Sequence, residues 1–331
     1  MLELQYLIFT VIILALVFDF INGFHDTANA IATSVSTRAL YPTQAIAMAA
    51  GLNFLGAMVS TGVAKTIGGD IVSNSNIVDE KIIIAALFGA IIWNLLTWWL
   101  GIPSSSSHAL VGGLIGAVLV SVGTSGLNWY GIGKIIVSLI LSPVIAIVTG
   151  VVIMNILFRI FGNFSPHFVN DKFRKAQIIS AATMAFSHGS NDAQKSMGII
   201  TLALFSGGFI AEFEVPMYVK ILCATAMAIG TATGGWRIIK TVGSKIFKLE
   251  PISGFAADLN SSAVVFSATM LALPVSTTHV VSGSIMGVGT AKRVNAVHWG
   301  VAQEMLKAWV MTIPITALMG AIAYGVVEFI F

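Results

Sequence analysis

The sequence predicts an all-α integral membrane protein, and three observations carry that prediction. Of the 331 residues, 56% are hydrophobic and 9% are charged, where soluble domains carry roughly a quarter charged residues. The apolar residues are gathered into helix-length blocks. Those blocks are unbroken runs, without the alternation of a β-barrel wall.

The elements follow in order. Residues 4–36 open with LQYLIFTVIILALVFDF (4–20), close to the ~20 residues that cross a bilayer. The preceding MLELQ carries Glu3 and no basic leader, which predicts a retained first span and no cleaved signal peptide. Residues 43–65 form a second span. IIIAALFGAIIWNLLTWWLGI (82–102) and a second arm at 104–123 flank the break PSSSS. Further spans are expected at 177–205, at 216–236 and in the block 299–327. Cys223 is the only cysteine, so an intrachain disulfide and a cysteine-based metal site are excluded.

Charge placement sets the orientation. Arg159, Lys172, Arg174 and Lys175 form one basic loop, and Arg237, Lys240, Lys245 and Lys248 a second; the positive-inside rule makes both cytoplasmic. Between them, 206–215 holds Glu212 and Glu214. Span 177–205 therefore runs outward and 216–236 returns. In the first half the connection at Arg38 reads as cytoplasmic, while 66–81 holds Asp70, Asp79 and Glu80 against Lys65 and Lys81. There 4–36 runs inward and 43–65 outward, the reverse sense. The expected organisation is two inverted repeats, 1–161 and 177–331, joined by a cytoplasmic linker at 162–176, GNFSPHFVNDKFRKA, with both chain ends outside.

Internal similarity agrees. PSSSSHALVGGLIG (103–116) superposes on PVSTTHVVSGSIMG (274–287), KTIG (65–68) on KTVG (240–243), and FINGFHD (20–26) on FSHGSND (186–192), in the same order. Inverted repeats with a binding site at their centre are a plan of secondary transporters.

The chemistry lies in these motifs. Charged and amide groups at membrane depth are costly unless paired or facing an aqueous cavity. Asn22, Asp26 and Asn29 fall at i, i+4 and i+7, one helix face, and offer oxygen ligands suited to a hard cation such as Na+. In the second copy Asn191, Asp192, Gln194 and Lys195 recur within an apolar run. Asp26 and Asp192 are the symmetry-related carboxylates. Pro103 breaks the helix ladder and serine favours N-caps, so the second arm should begin at 104–107 with its N–H groups aimed at the break, an anion site. Ser276, Thr277 and Thr278 repeat the device. Neither tip holds a charged residue; His108 and His279 follow directly and read as structural. Backbone dipoles alone supply only partial charge, and the aspartates repel an anion unless bound cations reverse the local sign. Cation and anion are therefore expected to bind together. Gly112, Gly113, Gly116, Gly283 and Gly287 would let helices pass at close range.

NGFHDTANAIAT, HGSNDAQKSMGIITL and the PSSSSHALVGG and PVSTTHVVSGS pair together resemble the paired signatures of the PiT family of inorganic phosphate transporters in its bacterial form, from about residue 18 to 290. The resemblance implies a cation–phosphate symporter, a homodimer, and both termini outside. It carries over Asn22, Asp26 and Asn29 from the first signature and Asn191, Asp192 and Gln194 from the second. Animal members resemble a pattern with Asn where Lys195 stands, so that position reads instead as a built-in positive charge. The expectation is Na+-coupled phosphate uptake by alternating access at the plasma membrane, with Ser105, Ser106, Ser107, Ser276, Thr277, Thr278, Gln194 and Asn29 on phosphate. Asn22, Asp26, Asn29, Asn191 and Asp192 are expected on Na+. No resident cofactor and no nucleic-acid partner are expected. Alternatives are H+ as coupling ion, sulfate or a metal–phosphate complex as substrate, a passive anion channel, and a serine hydrolase. The last is disfavoured because Ser107 and His108 are adjacent and point apart on a helix, and no G-x-S-x-G elbow is present.

Overall fold

A computed structural model describes residues 2–73, 79–234, 238–239 and 241–330. Arg237 and Lys240 of the second basic loop lie outside the described residues, as do the side chains of Thr27 and Ala28. The chain is helical. The elements are α1 (Leu2–Ser36), α2 (Pro42–Ala57), α3 (Gly62–Gly69), α4 (Glu80–Leu100), α5 (Ser106–Ser121), α6 (Trp129–Phe161) and α7 (Pro166–Ser206). They continue with α8 (Met217–Thr233), a π-helical turn at Thr241–Lys245, α9 (Pro251–Met270), α10 (Thr277–Lys292) and α11 (Trp299–Ile330). Proline at the first helical position starts α2, α7 and α9, where its missing N–H costs nothing. The expected linker is helical from Pro166 onward, as the first turns of α7.

Among the described residues α1, α4, α6 and α11 are each long and apolar enough to cross a bilayer. The single span expected at 43–65 is instead broken: α2 and α3 meet at a bend of 72°. The break frees the N-terminal N–H groups of α3, and a side chain of α7 accepts from them. α7 itself runs for 41 residues, and Ser187 to Leu204 are buried throughout. It packs against α1, α2, α3, α8 and α9. A helix this polar survives at membrane depth because protein surrounds it and lipid does not.

The halves exchange partners. α5 packs on α11 while α10 packs on α6, and α1 packs on α8 while α2 packs on α7. Glycine makes both of the first contacts possible: a Cβ at Gly116 would lie 1.8 Å from the Ala317 carbonyl oxygen, and one at Gly287 2.2 Å from that of Ile147. The two receiving helices each contain an interior proline, Pro143 in α6 and Pro314 in α11.

The apolar core has two parts. One takes α1 as far as Ile21 and α7 from Ala193 onward, with α3, α4 and α5. The other takes α1 from Ala30 and α7 up to Ala185, with α9 and α10. The polar stretches of α1 and α7 fall at the seam.

Candidate functional site

Two helix tips and two polar helix centres meet at that seam. After α4 the chain turns through Gly101 in the left-handed region (φ 68°), and α5 begins at Ser106 with Ser105 as its N-cap, accepting from the His108 N–H at 3.2 Å. The second tip is built alike: α10 begins at Thr277, and Ser276 accepts from the His279 N–H at 3.3 Å. Each 16-residue helix reaches about 24 Å at ~1.5 Å per residue, short of the ~30 Å hydrocarbon thickness. Their N-termini are buried inside the protein. The tips touch: Ser107 donates to the Val275 carbonyl at 3.0 Å, and the His108 and His279 rings lie 4.6 Å apart. His279 stacks on Trp309 at 3.9 Å.

Asp26 of α1 receives both tips. Ser106 donates to its Oδ2 at 3.2 Å and Thr278 to its Oδ1 at 3.1 Å; His25 Nδ1 lies 2.9 Å from Oδ1. Asn29 donates to the Thr278 hydroxyl at 2.9 Å. Asn22 and Asp26 are 0% and 2% exposed, yet among the described residues Asn22 Oδ1 and Nδ2 and Asn29 Oδ1 have no hydrogen-bond partner. Orphaned buried polar atoms cost about 1–3 kcal/mol each. Two of the three are oxygens of the kind that ligate hard cations.

Asp192 of α7 is held differently. Lys195, fully buried, donates to its Oδ1 at 2.6 Å and to the Val275 carbonyl at 3.3 Å. Thr277 donates to Oδ2 at 3.2 Å, and His188 Nε2 lies 3.5 Å from it. The two carboxylates and His188 offer atoms within 4.8 Å of one another. The expected pairing of Asp26 with Asp192 is thus a spatial one.

The structure places the remaining expected residues elsewhere in this region. Asn191 ties the α9–α10 turn, donating to Thr269 at 3.0 Å and to the Leu273 carbonyl at 3.3 Å and accepting from the Val275 N–H at 3.4 Å. Gln194 caps α3: its Oε1 accepts from the N–H groups of Val63 (2.8 Å) and Ala64 (3.2 Å), while Nε2 donates to the Ser190 carbonyl. Both ends of that amide are committed within the protein. His188 and Asn53 are neighbours of the candidate site that the sequence motifs do not single out. His188 Nδ1 lies 3.0 Å from Asn53 Oδ1, and Asn53 donates to Thr231 at 2.9 Å. The FINGFHD–FSHGSND match aligns His188 with Asn22, which is a usable signal; nothing in the sequence marks Asn53. Asp19, one turn before Asn22, accepts from Ser196 at 2.8 Å.

Comparison with known proteins gives a consistent result. Residues 22–320 match the model of the "Phosphate transporter family". A Bacillus subtilis protein described as "Probable low-affinity inorganic phosphate transporter" is 54% identical over 323 residues, 97% of each chain. A Rhizobium meliloti protein of the same description is 48% identical, over 95% of this chain and 94% of its own. A solved structure described as "The sodium-dependent phosphate transporter" superposes with a TM-score of 0.90 at 26% identity, covering 98% of this chain and 100% of that one.

Proposed function

The chain belongs to the phosphate transporter family, and on that premise we propose that it is a secondary active transporter carrying inorganic phosphate into the cell together with Na+ by alternating access. The observation that carries this reading is the use of hydroxyls at Asp26. Ser106 and Thr278, from two different helix tips, both spend their protons on one carboxylate. A hydroxyl has one proton to donate, so those groups are unavailable to an anion while Asp26 holds them. Na+ bound to Asp26 replaces those protons and takes Asn22 Oδ1 and Asn29 Oδ1 as neutral ligands. The released hydroxyls, with Ser105, Ser276 and the first-turn N–H groups of α5 and α10, then face phosphate oxygens, while Ser107 and Thr277 keep their protons on the Val275 carbonyl and Asp192 and line the cradle. The cation also reverses the local charge. Each ion therefore raises the affinity of the other, which is the thermodynamic content of coupling.

Support for the cation comes from the two orphaned amide oxygens and from the solved relative, a protein described as sodium-dependent. The reading includes two inverted repeats, with the exchanged contacts of α5 and α10 as their support, both termini outside and the 162–176 segment cytoplasmic.

The test is uptake of labelled phosphate by proteoliposomes under imposed Na+ or H+ gradients. An inward Na+ gradient should drive accumulation, and Asp26→Asn should abolish it. Uptake driven by H+ and indifferent to Na+ would replace the coupling ion, and equilibration without accumulation would make the protein a channel.

A further inference from the structure

The two polar helices are equivalent in sequence and unlike in chemistry. The register that places FINGFHD on FSHGSND aligns Asn22, Asp26 and Asn29 with His188, Asp192 and Lys195. On α1 the two residues flanking the aspartate are amides, each with a buried oxygen that no donor among the described residues reaches. On α7 the flanking residues present nitrogen. Lys195 Nζ sits 2.6 Å from Asp192 Oδ1, His188 Nε2 faces Oδ2 at 3.5 Å, and both side chains are 0% exposed. An ammonium has three donors and no acceptor, so it cannot ligate a cation, and it stands where a cation would bind the carboxylate. The remaining amides of this half offer no replacement: Asn191 Oδ1 accepts from Val275 and Gln194 Oε1 from Val63 and Ala64.

We infer that Lys195 is a covalently tethered cation that permanently fills the Asp192 half of the site, so that only the Asp26 half exchanges a mobile cation with each phosphate. The ammonium meets the same demand as a bound Na+. It neutralises Asp192 beside the anion cradle, and through the Val275 carbonyl it holds the α10 tip. It cannot leave with the substrate. Removing it while leaving space and an amide oxygen should open a second exchangeable cation site, raising the number of cations moved per phosphate. Lys195 is thus a residue that determines stoichiometry.

The inference rests on sodium coupling as proposed above, and the experiment separates the two. Full-length wild type, Lys195→Asn and the double variant Asp192→Asn/Lys195→Gln are reconstituted with membrane potential and pH difference clamped at zero. Phosphate accumulation at equilibrium is measured against graded Na+ gradients; the logarithmic slope is the number of Na+ per phosphate and is independent of turnover rate. The Lys195→Asn slope should exceed that of the wild type by about one. The double variant loses a carboxylate and its tethered charge together, and whatever its rate, its slope should equal that of the wild type. An unchanged slope in Lys195→Asn, with or without a raised KM for phosphate, overturns the inference and assigns Lys195 to the anion or to structure. A slope lowered by one in the double variant overturns it equally, because Asp192 then carries a mobile cation. Should Lys195→Asn not fold, the charge-balanced double variant decides. A wild-type slope of zero sinks the sodium reading itself, whatever the variants do.

Discussion

Ser106 and Thr278 lie 172 residues apart yet bond the same carboxylate, and Thr278 also accepts from Asn29. A hydrogen bond to a charged group contributes about 1.5–3 kcal/mol, which corresponds to roughly ten- to a hundredfold in affinity. Ser106→Ala and Thr278→Ala should each lower kcat/KM for phosphate uptake by that factor, with Thr278→Ala the more severe because it also strands the Asn29 amide. Initial-rate uptake at saturating and limiting Na+ checks this, and wild-type kinetics in both would remove the hydroxyls from the coupling scheme. At this scale the aspartates are legible in the sequence because a carboxylate inside an apolar run has few roles. The capping of α3 by Gln194 is not, since its partners Val63 and Ala64 are 131 and 130 residues away.

The two hairpin turns differ in one avoidable respect. Where α4 ends, glycine occupies the left-handed position, Gly101 at φ 68°, but after α9 the matching residue is Ala272 at φ 57°. A left-handed L-residue costs roughly 1–2 kcal/mol, and part of the relief on substitution is lost to the greater freedom of glycine in the unfolded chain. Ala272→Gly should therefore raise stability by about 1 kcal/mol, read as a higher Tm in detergent; an unchanged or lower Tm counts against strain at this turn. Helix α5 makes the opposite case. At Gly116 an added methyl would overlap the Ala317 backbone, and overpacking of that kind costs about 1–3 kcal/mol. Gly116→Ala should lower the Tm and separate α5 from α11, checked by the same melt. The exchange of partners between halves is not legible in the sequence, because similar sequences do not say whether each half packs on itself or on the other.

Across the whole molecule, the polar stretches of α1 and α7 divide the apolar core into two parts, and both helices contribute to each part. Orientation belongs to this scale as well. Cys223 is buried, so after Cys223→Ser single cysteines report sidedness without background. One placed in the 162–165 connection should react with an impermeant maleimide only from the cytoplasmic side, and one at the end of α11 only from outside; the reverse pattern would invert the proposed topology. Hydropathy makes the helical class legible because a bilayer core leaves backbone groups no water to bond. It conceals the 58–61 break, since apolar residues continue on both sides and the Gln194 amide that accepts from the Val63 and Ala64 N–H groups lies on a helix far along the chain.

The sequence by itself determined a helical membrane protein with two serine-bearing helix breaks and two polar helices, since burial energetics and helix-breaking chemistry act locally along the chain. Only the tertiary structure decided that both tips close on Asp26 and that Lys195 reaches Asp192. It also decided that, among the described residues, the oxygens of Asn22 and Asn29 are left without donors while Lys195, at the matching place on α7, is paired with Asp192. Those outcomes depend on which helices pack together, and packing is settled by shape and by the pairing of buried charge, neither of which is written in the order of residues.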